Sequence, residues 1–134
     1  MDLKILKIAA NTENNKEIKN YTHKAKYKNS MCGDEMEVSL IVKNKNIKDF
    51  GYKCKSCIYC QASVSLLSKI SINLSLEKVQ NLINYAIYYF EENSSGFPKE
   101  WKIFNQIFNK KNISRKECIL LPFKTISKAL NLSK

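Results

Sequence analysis

The first apolar positions, Leu3, Ile5 and Leu6, stand close together and predict a short helix over residues 2–10. Residues 11–20 are polar and predict a loop. From Met36 the pattern switches to period two. Met36, Val38, Leu40 and Val42 alternate with Glu37, Ser39, Ile41 and Lys43, as in a strand with one buried face. Lys43-Asn44-Lys45-Asn46 reads as a polar turn. Ile47–Cys54 then reads as the returning strand, with Phe50 and Tyr52 on one face, and Thr22–Lys28 as a third strand.

After Cys57 the period lengthens. Ala62, Leu66 and Ile70 recur every four residues with Ser63 and Leu67 beside them, which predicts a helix starting near Cys57. Ser75 is the expected N-cap of the next helix, with Glu77 in its first turn. Its apolar stripe is Val79, Leu82, Ile83, Ala86, Ile87 and Phe90. The stretch Asn93–Pro98 breaks that pattern. Trp101, Phe104, Ile107 and Phe108 predict another short amphipathic helix. Pro122 suits only the first turn of a helix, so the last helix is expected to start near Ile119–Leu121, just after Cys118. Strands first and helices afterward predict an α+β fold: an antiparallel sheet of about three strands with helices packed on one face.

The 134 residues amount to a single domain, 1–134, long enough to bury a core without disulfide staples. Apolar residues make up 44% and charged residues 26%, which excludes wholesale disorder. No apolar run approaches the roughly 20 residues of a membrane span. The start of the chain lacks a signal-peptide pattern, so a cytoplasmic protein is expected. The net charge of +11 suggests an acidic partner. All but Arg115 of the 23 basic residues are lysine, however, and Lys, Asn and Ile abound as in AT-rich coding sequence. Base and phosphate readers rely on arginine forks, so dedicated nucleic-acid binding is not expected.

The five cysteines, Cys32, Cys54, Cys57, Cys60 and Cys118, change the picture. An odd, clustered set in a cytosolic chain points to metal binding or sulfur chemistry rather than disulfides. In Cys32-Gly33-Asp34 a thiolate and a carboxylate two residues apart face the same way on an extended segment. Cys54-x2-Cys57-x2-Cys60 has the opening of a ferredoxin ligand run but lacks its Cys-Pro continuation and any second cluster. Cys57 sits at a strand-to-helix junction, where backbone N–H groups favour a thiolate. Cys118 holds the same kind of position before the last helix. Together these make a tetrahedral set of three sulfurs and one oxygen. His23 lies in a lysine-rich, exposed strand and reads as no ligand. Tyr85, Tyr88, Tyr89 and Phe90 read as packing, Glu91 and Glu92 as a solvated helix end, and Glu117 as pointing away from a metal.

The segment Asn29-Ser30-Met31-Cys32-Gly33-Asp34 resembles the first cysteine motif of the IscU/SufU/NifU N-terminal scaffold family. Ile47–Lys53 is similar to the lead-in to its second cysteine, and Cys57–Leu67 (CIYCQASVSLL) to the segment that follows. Arg115-Lys116-Glu117-Cys118 and the helix through Leu130 resemble the third cysteine and closing helix, so the resemblance spans about residues 22–132. It implies Cys32, Asp34, Cys57 and Cys118 as ligands of a transient [2Fe–2S] cluster or of Zn2+, with Cys32 and Cys118 as sulfur-accepting candidates. It implies a scaffold rather than an enzyme, with a cysteine desulfurase as sulfur donor and apo iron–sulfur proteins as recipients. Glu117 stands where the IscU branch has His before the third cysteine, and the Leu-Pro-Pro-Val-Lys chaperone motif is missing. Arg115 and the extra residues Ser94–Lys111 look more like the SufU branch. Ser56 replaces the usual Gly, and Cys54 and Cys60 have no functional counterpart in the family. The alternative is a structural zinc module that binds a nucleic-acid or protein partner without sulfur transfer.

Overall fold

The computed structural model describes residues 3–31, 33–91 and 96–131. In chain order the elements are α1 (Leu3–Ala9), β1 (His23–Lys28), β2 (Glu35–Lys43), β3 (Asn46–Lys55), α2 (Ile58–Ser71) and α3 (Leu76–Tyr89). Two 3-10 segments, Lys99–Gln106 and Lys110–Arg115, then lead into α4 (Lys116–Ala129). The strands form an antiparallel three-stranded sheet in the order β1-β2-β3. This is the α+β class expected from strands preceding helices.

The β2–β3 turn takes two residues, Asn44 and Lys45, both with positive φ (54° and 61°), as a type I′ hairpin requires. A bulge follows. Ile41 pairs with Asp49 but Val42 pairs with Ile47, so Lys48 is an extra residue in β3. That is why Ile47 and Phe50, three apart, are both fully buried. Met36, Val38, Leu40, Phe50 and Tyr52 form the core face, on which α2 and α4 pack.

The free edge of β3 is covered at two places. Near its start, Ile47 and the α2–α3 connection exchange hydrogen bonds: Ile47 N–H donates to Leu74 O at 2.9 Å and Asn73 N–H to Ile47 O at 2.7 Å. Further along, Tyr52 N–H donates to Asn14 O at 3.1 Å. The loop holding Asn14 is tied in turn to α2, because Asn14 Nδ2 donates to Ser68 Oγ and Ser65 Oγ to Asn11 O, each at 3.0 Å. A covered edge removes a template for pairing with another chain.

Two helix expectations need correction. The Trp101–Phe108 stretch is not an amphipathic α-helix: Lys99–Gln106 is 3-10, interrupted at Trp101 (φ −121°, ψ 22°). Aromatic packing sets that path. Phe97, Phe104 and Phe108 pack on one another, and Phe104 and Phe108 meet Phe123 of α4 edge-on, with centroids 4.8 to 6.3 Å apart. The last helix begins at Lys116, not at Ile119–Leu121, so Pro122 lies inside it and Cys118 in its first turn. Pro122 lacks only the N–H owed to the Cys118 carbonyl. Its cost of about 3 kcal/mol is outweighed because every residue from Cys118 to Phe123 is buried. The predicted helix break at Asn93–Pro98 falls partly on residues 92–95, outside the described residues.

Gly51 marks where the loop crosses the sheet. A Cβ there would meet Lys16 O at 2.5 Å, inside any normal contact. Gly51→Ala is expected to lower unfolding stability by about 1–3 kcal/mol, the usual range for overpacking. Urea midpoints with unchanged m-values test this, and an unchanged midpoint would show that the crossing loop yields freely.

Candidate metal centre

Three chain junctions meet at one point. The first is the entry to β2. Asn29 N–H donates to Asp34 O and Gly33 N–H to Asn29 O, both at 2.8 Å, which closes the loop ahead of Asp34. Gly33 has φ +79° and open space around it, so the backbone conformation, not crowding, calls for glycine. The second junction is β3 to α2. Cys57 is the N-cap of α2, with φ −72° and ψ 168°, and its side chain caps no backbone group. The third is the first turn of α4, where Cys118 is the third helical residue. Ser63 Oγ of α2 donates to Ile119 O at 2.7 Å and draws the starts of the two helices together.

The ligand atoms of Asp34, Cys57 and Cys118 lie within 4.8 Å of one another. Asp34 Oδ2 also accepts the Cys57 N–H at 3.3 Å, so the carboxylate both borders the cluster and orders the helix start. Cys118 is only 4% exposed, and its thiol is pushed well above the ordinary range by burial first, then by Cys57 and Asp34 beside it. Two thiols and a carboxylate crowded into a half-dry corner repel as anions, and a thiophilic dication relieves that repulsion. The donor set therefore suits Zn2+ or iron better than Mg2+ or Ca2+.

Cys32, the fourth expected ligand, lies outside the described residues. Glu117, adjacent to Cys118, is held elsewhere: Asn29 Nδ2 and Lys124 Nζ both donate to its Oε2 at 3.4 Å. His23 pairs with Thr22 Oγ1 at 2.8 Å and is not part of the cluster. Tyr89 is buried among the aromatic rings, whereas Tyr85 and Tyr88 are exposed. Glu91 is exposed, and Glu92 lies outside the described residues. Cys60 is fully buried and Cys54 half-buried, and burial pushes both thiols upward. Sequence reasoning gave Asn29 no role, although it closes the Asp34 loop and restrains Glu117. It also missed the stacking of Arg115 over the Tyr59 ring at 5.5 Å, beside Cys57. The signal available was that Arg115 is the sole arginine among many lysines.

The fold and the cluster together define a class: a small α+β domain that gathers thiols and a carboxylate where a strand pair meets two helix starts. Residues 2–110 match the family model described as NifU-like N terminal domain, and the chain belongs to that family. It is 31% identical over 105 residues to the "Iron-sulfur cluster assembly scaffold protein IscU" of Thermotoga maritima, covering 77% of this chain and 72% of that protein. It is also 31% identical over 111 residues to an uncharacterized protein of Borreliella burgdorferi, covering 83% and 73%. In fold it resembles the N-terminal NifU-like protein of Brucella abortus with a TM-score of 0.88 at 20% identity, over 97% of this chain and 91% of that one. A putative scaffold protein for the SUF system from Fervidobacterium islandicum gives 0.86 at 23% identity, over 97% and 96%. Among the described residues, no helix is long and apolar enough to cross a membrane.

Burial and raised pKa act together on Cys60 and Cys118. Iodoacetamide at pH 7.5 is expected to label both in the metal-free chain at least about tenfold more slowly than a free cysteine peptide. Labelling at the peptide's rate would show that neither thiol is shielded.

Proposed function

We propose that this chain is an iron–sulfur cluster assembly scaffold: it accepts sulfur from a cysteine desulfurase and passes sulfur or a [2Fe–2S] cluster to apo iron–sulfur proteins. The observation that carries this reading is the convergence of Asp34, Cys57 and Cys118 in a member of this family. Cys32, two residues before Asp34, completes the ligand set, and Cys32 or Cys118 receives the sulfur. The chain acts as a carrier rather than an enzyme and works in the cytoplasm, where thiols stay reduced. Arg115 and the segment 94–111 favour the SufU-like branch, as does the fold likeness to the SUF-system protein.

The cluster supplies thiolate ligands that hold Zn2+ or an iron–sulfur unit; what the chain contributes is their spacing and one deliberate mismatch. Asp34 offers a harder oxygen among sulfurs, the weak corner of a soft site. An incoming acceptor thiol exchanges most readily there. Cys57 and Cys118 stand on the starts of helices packed into the core, which keep the rest of the site assembled during exchange.

Two measurements test this reading. Incubation with a cysteine desulfurase and cysteine should add sulfur in steps of about 32 Da by intact mass, the mass of one sulfane sulfur. Uptake of none, with no stimulation of desulfurase turnover and with salt-sensitive RNA binding instead, would favour a structural zinc module. Cys57→Ser and Cys118→Ser should each weaken Zn2+ binding by about a hundredfold or more, whereas Glu117→Gln stays within about threefold. Asp34→Ala should keep a detectable bound species but slow its transfer to an apo-protein by about tenfold. Transfer at the parent rate would leave Asp34 only its hydrogen bond to Cys57.

A further inference from the structure

The family resemblance gives no role to Cys60, yet the fold places it next to a proposed ligand. Cys57 is the N-cap of α2 and Cys60 its third residue. The first turn is regular, since Gln61 N–H donates to Cys57 O at 3.1 Å. N-cap and third-residue side chains of such a turn are the pair that meet in a capping box. Cys-x2-Cys at a helix start is likewise the arrangement of exchangeable dithiols. Cys57 makes no side-chain cap bond, so its sulfur is not tied to the backbone.

Their exposures are unequal. Cys57 is half-buried, whereas Cys60 is 0% exposed and closed to external thiols.

We propose that Cys60 is a resolving thiol for Cys57: it attacks the inner sulfur of a persulfide on Cys57, expels the outer sulfur as sulfide beside Asp34 and Cys118, and leaves a Cys57–Cys60 disulfide. The proposal rests on the reading of this site as an acceptor of sulfane sulfur, and adds that sulfur received at Cys32 or Cys118 passes to Cys57 by persulfide exchange before Cys60 attacks it. The S–S bond of the persulfide breaks and a new S–S bond joins the two cysteines. Counted as zero-valent sulfane, the outer sulfur gains two electrons, and each cysteine sulfur loses one. The Cys60 proton leaves with the outer sulfur as hydrogen sulfide. The disulfide withdraws Cys57 from the ligand set until a dithiol reductant restores both thiols. The chain thus supplies the two electrons that turn sulfane sulfur into the sulfide a cluster requires, and each round needs one reduction.

The test uses the full chain, metal-free and anaerobic, with glutathione persulfide as the probe and no other reductant. Exchange at Cys57 releases glutathione and forms the persulfide. The parent chain should then liberate about one sulfide per chain and end about 2 Da below its reduced mass, the signature of one disulfide. Peptide mapping should join Cys57 to Cys60. Cys60→Ala should stop at the adduct about 32 Da heavier, with sulfide release at least about tenfold lower. Circular dichroism and retained Zn2+ binding confirm the fold of that variant, and Cys54→Ser should behave as the parent. Sulfide release by Cys60→Ala within twofold of the parent overturns the proposal. So does a parent disulfide joining Cys57 to Cys54 or Cys118, and the linkage map decides this without any variant. A chain that takes sulfur from a desulfurase but keeps it as persulfide also overturns the proposal and leaves the scaffold reading standing. Sulfide release from glutathione persulfide with no uptake from any desulfurase does the reverse.

Discussion

The contact between the starts of α2 and α4 governs the rest of this molecule. Ser63, 0% exposed, donates its hydroxyl to Ile119 O at 2.7 Å. Serine is small enough for two helices to approach closely, and its hydroxyl needs a buried acceptor, which the Ile119 carbonyl provides. That one bond fixes the separation of the two helix starts, and each start carries a cysteine. The two helix starts therefore border one small volume, into which Cys57 and Cys118 each bring a sulfur. Asp34 enters from the sheet side and is held there by the Cys57 N–H. No single loop contains the site. Its geometry is inherited from the core.

The same dependence explains why α2 is rich in serine yet buried on nearly every side. Ser63, Ser65 and Ser68 each send a hydroxyl to a carbonyl: Ile119 O, Asn11 O and Ser65 O. A central helix that touches α1, α4 and β3 at once has little room for branched side chains. Small polar residues fill the space, and three of the four serine hydroxyls of α2 reach a carbonyl, while that of Ser71 is buried without one. The helical period marks Ala62, Leu66 and Ile70 as the buried stripe, with Ser63 and Leu67 beside it, and says nothing of Ser65 and Ser68. Here tertiary packing overrides the amphipathic pattern.

Much of the fold was legible because local and tertiary preferences agree. The alternation from Met36 to Val42 is the core face of β2, and Ser75 is the N-cap of α3, accepting from Lys78 N–H at 3.2 Å. The cysteines of the cluster were legible by motif, since Cys57 and Cys118 both stand at helix starts. Legibility failed where tertiary packing opposes a local rule. Pro122 argued for a late start to α4, but a helix buried throughout from Cys118 to Phe123 tolerates one missing hydrogen bond. The aromatic stretch from Trp101 to Phe108 carried a helical period, yet edge-on ring packing against Phe123 drew it into 3-10 turns. Positive φ at Asn44, Lys45, Asn73 and Asn131 had no glycine to announce it. In a chain with only 3 Gly, asparagine takes three of those four left-handed positions, because its side chain tolerates them best among the rest.

A scaffold must hold its cargo and also release it, and the cluster divides these demands between its two sides. Cys118 is buried in the first turn of a helix whose next five residues are all core, so moving it would disturb packing across the whole domain. Asp34 sits at the mouth of a loop and strand, anchored by hydrogen bonds that can break singly. Local opening is cheapest where few apolar contacts are lost, and that is the Asp34 side. The harder donor and the yielding backbone therefore coincide, while the softer donors of Cys57 and Cys118 stand on helices packed into the core. On the proposed reading, exchange proceeds from the carboxylate toward the thiols, and the fold itself sets that order.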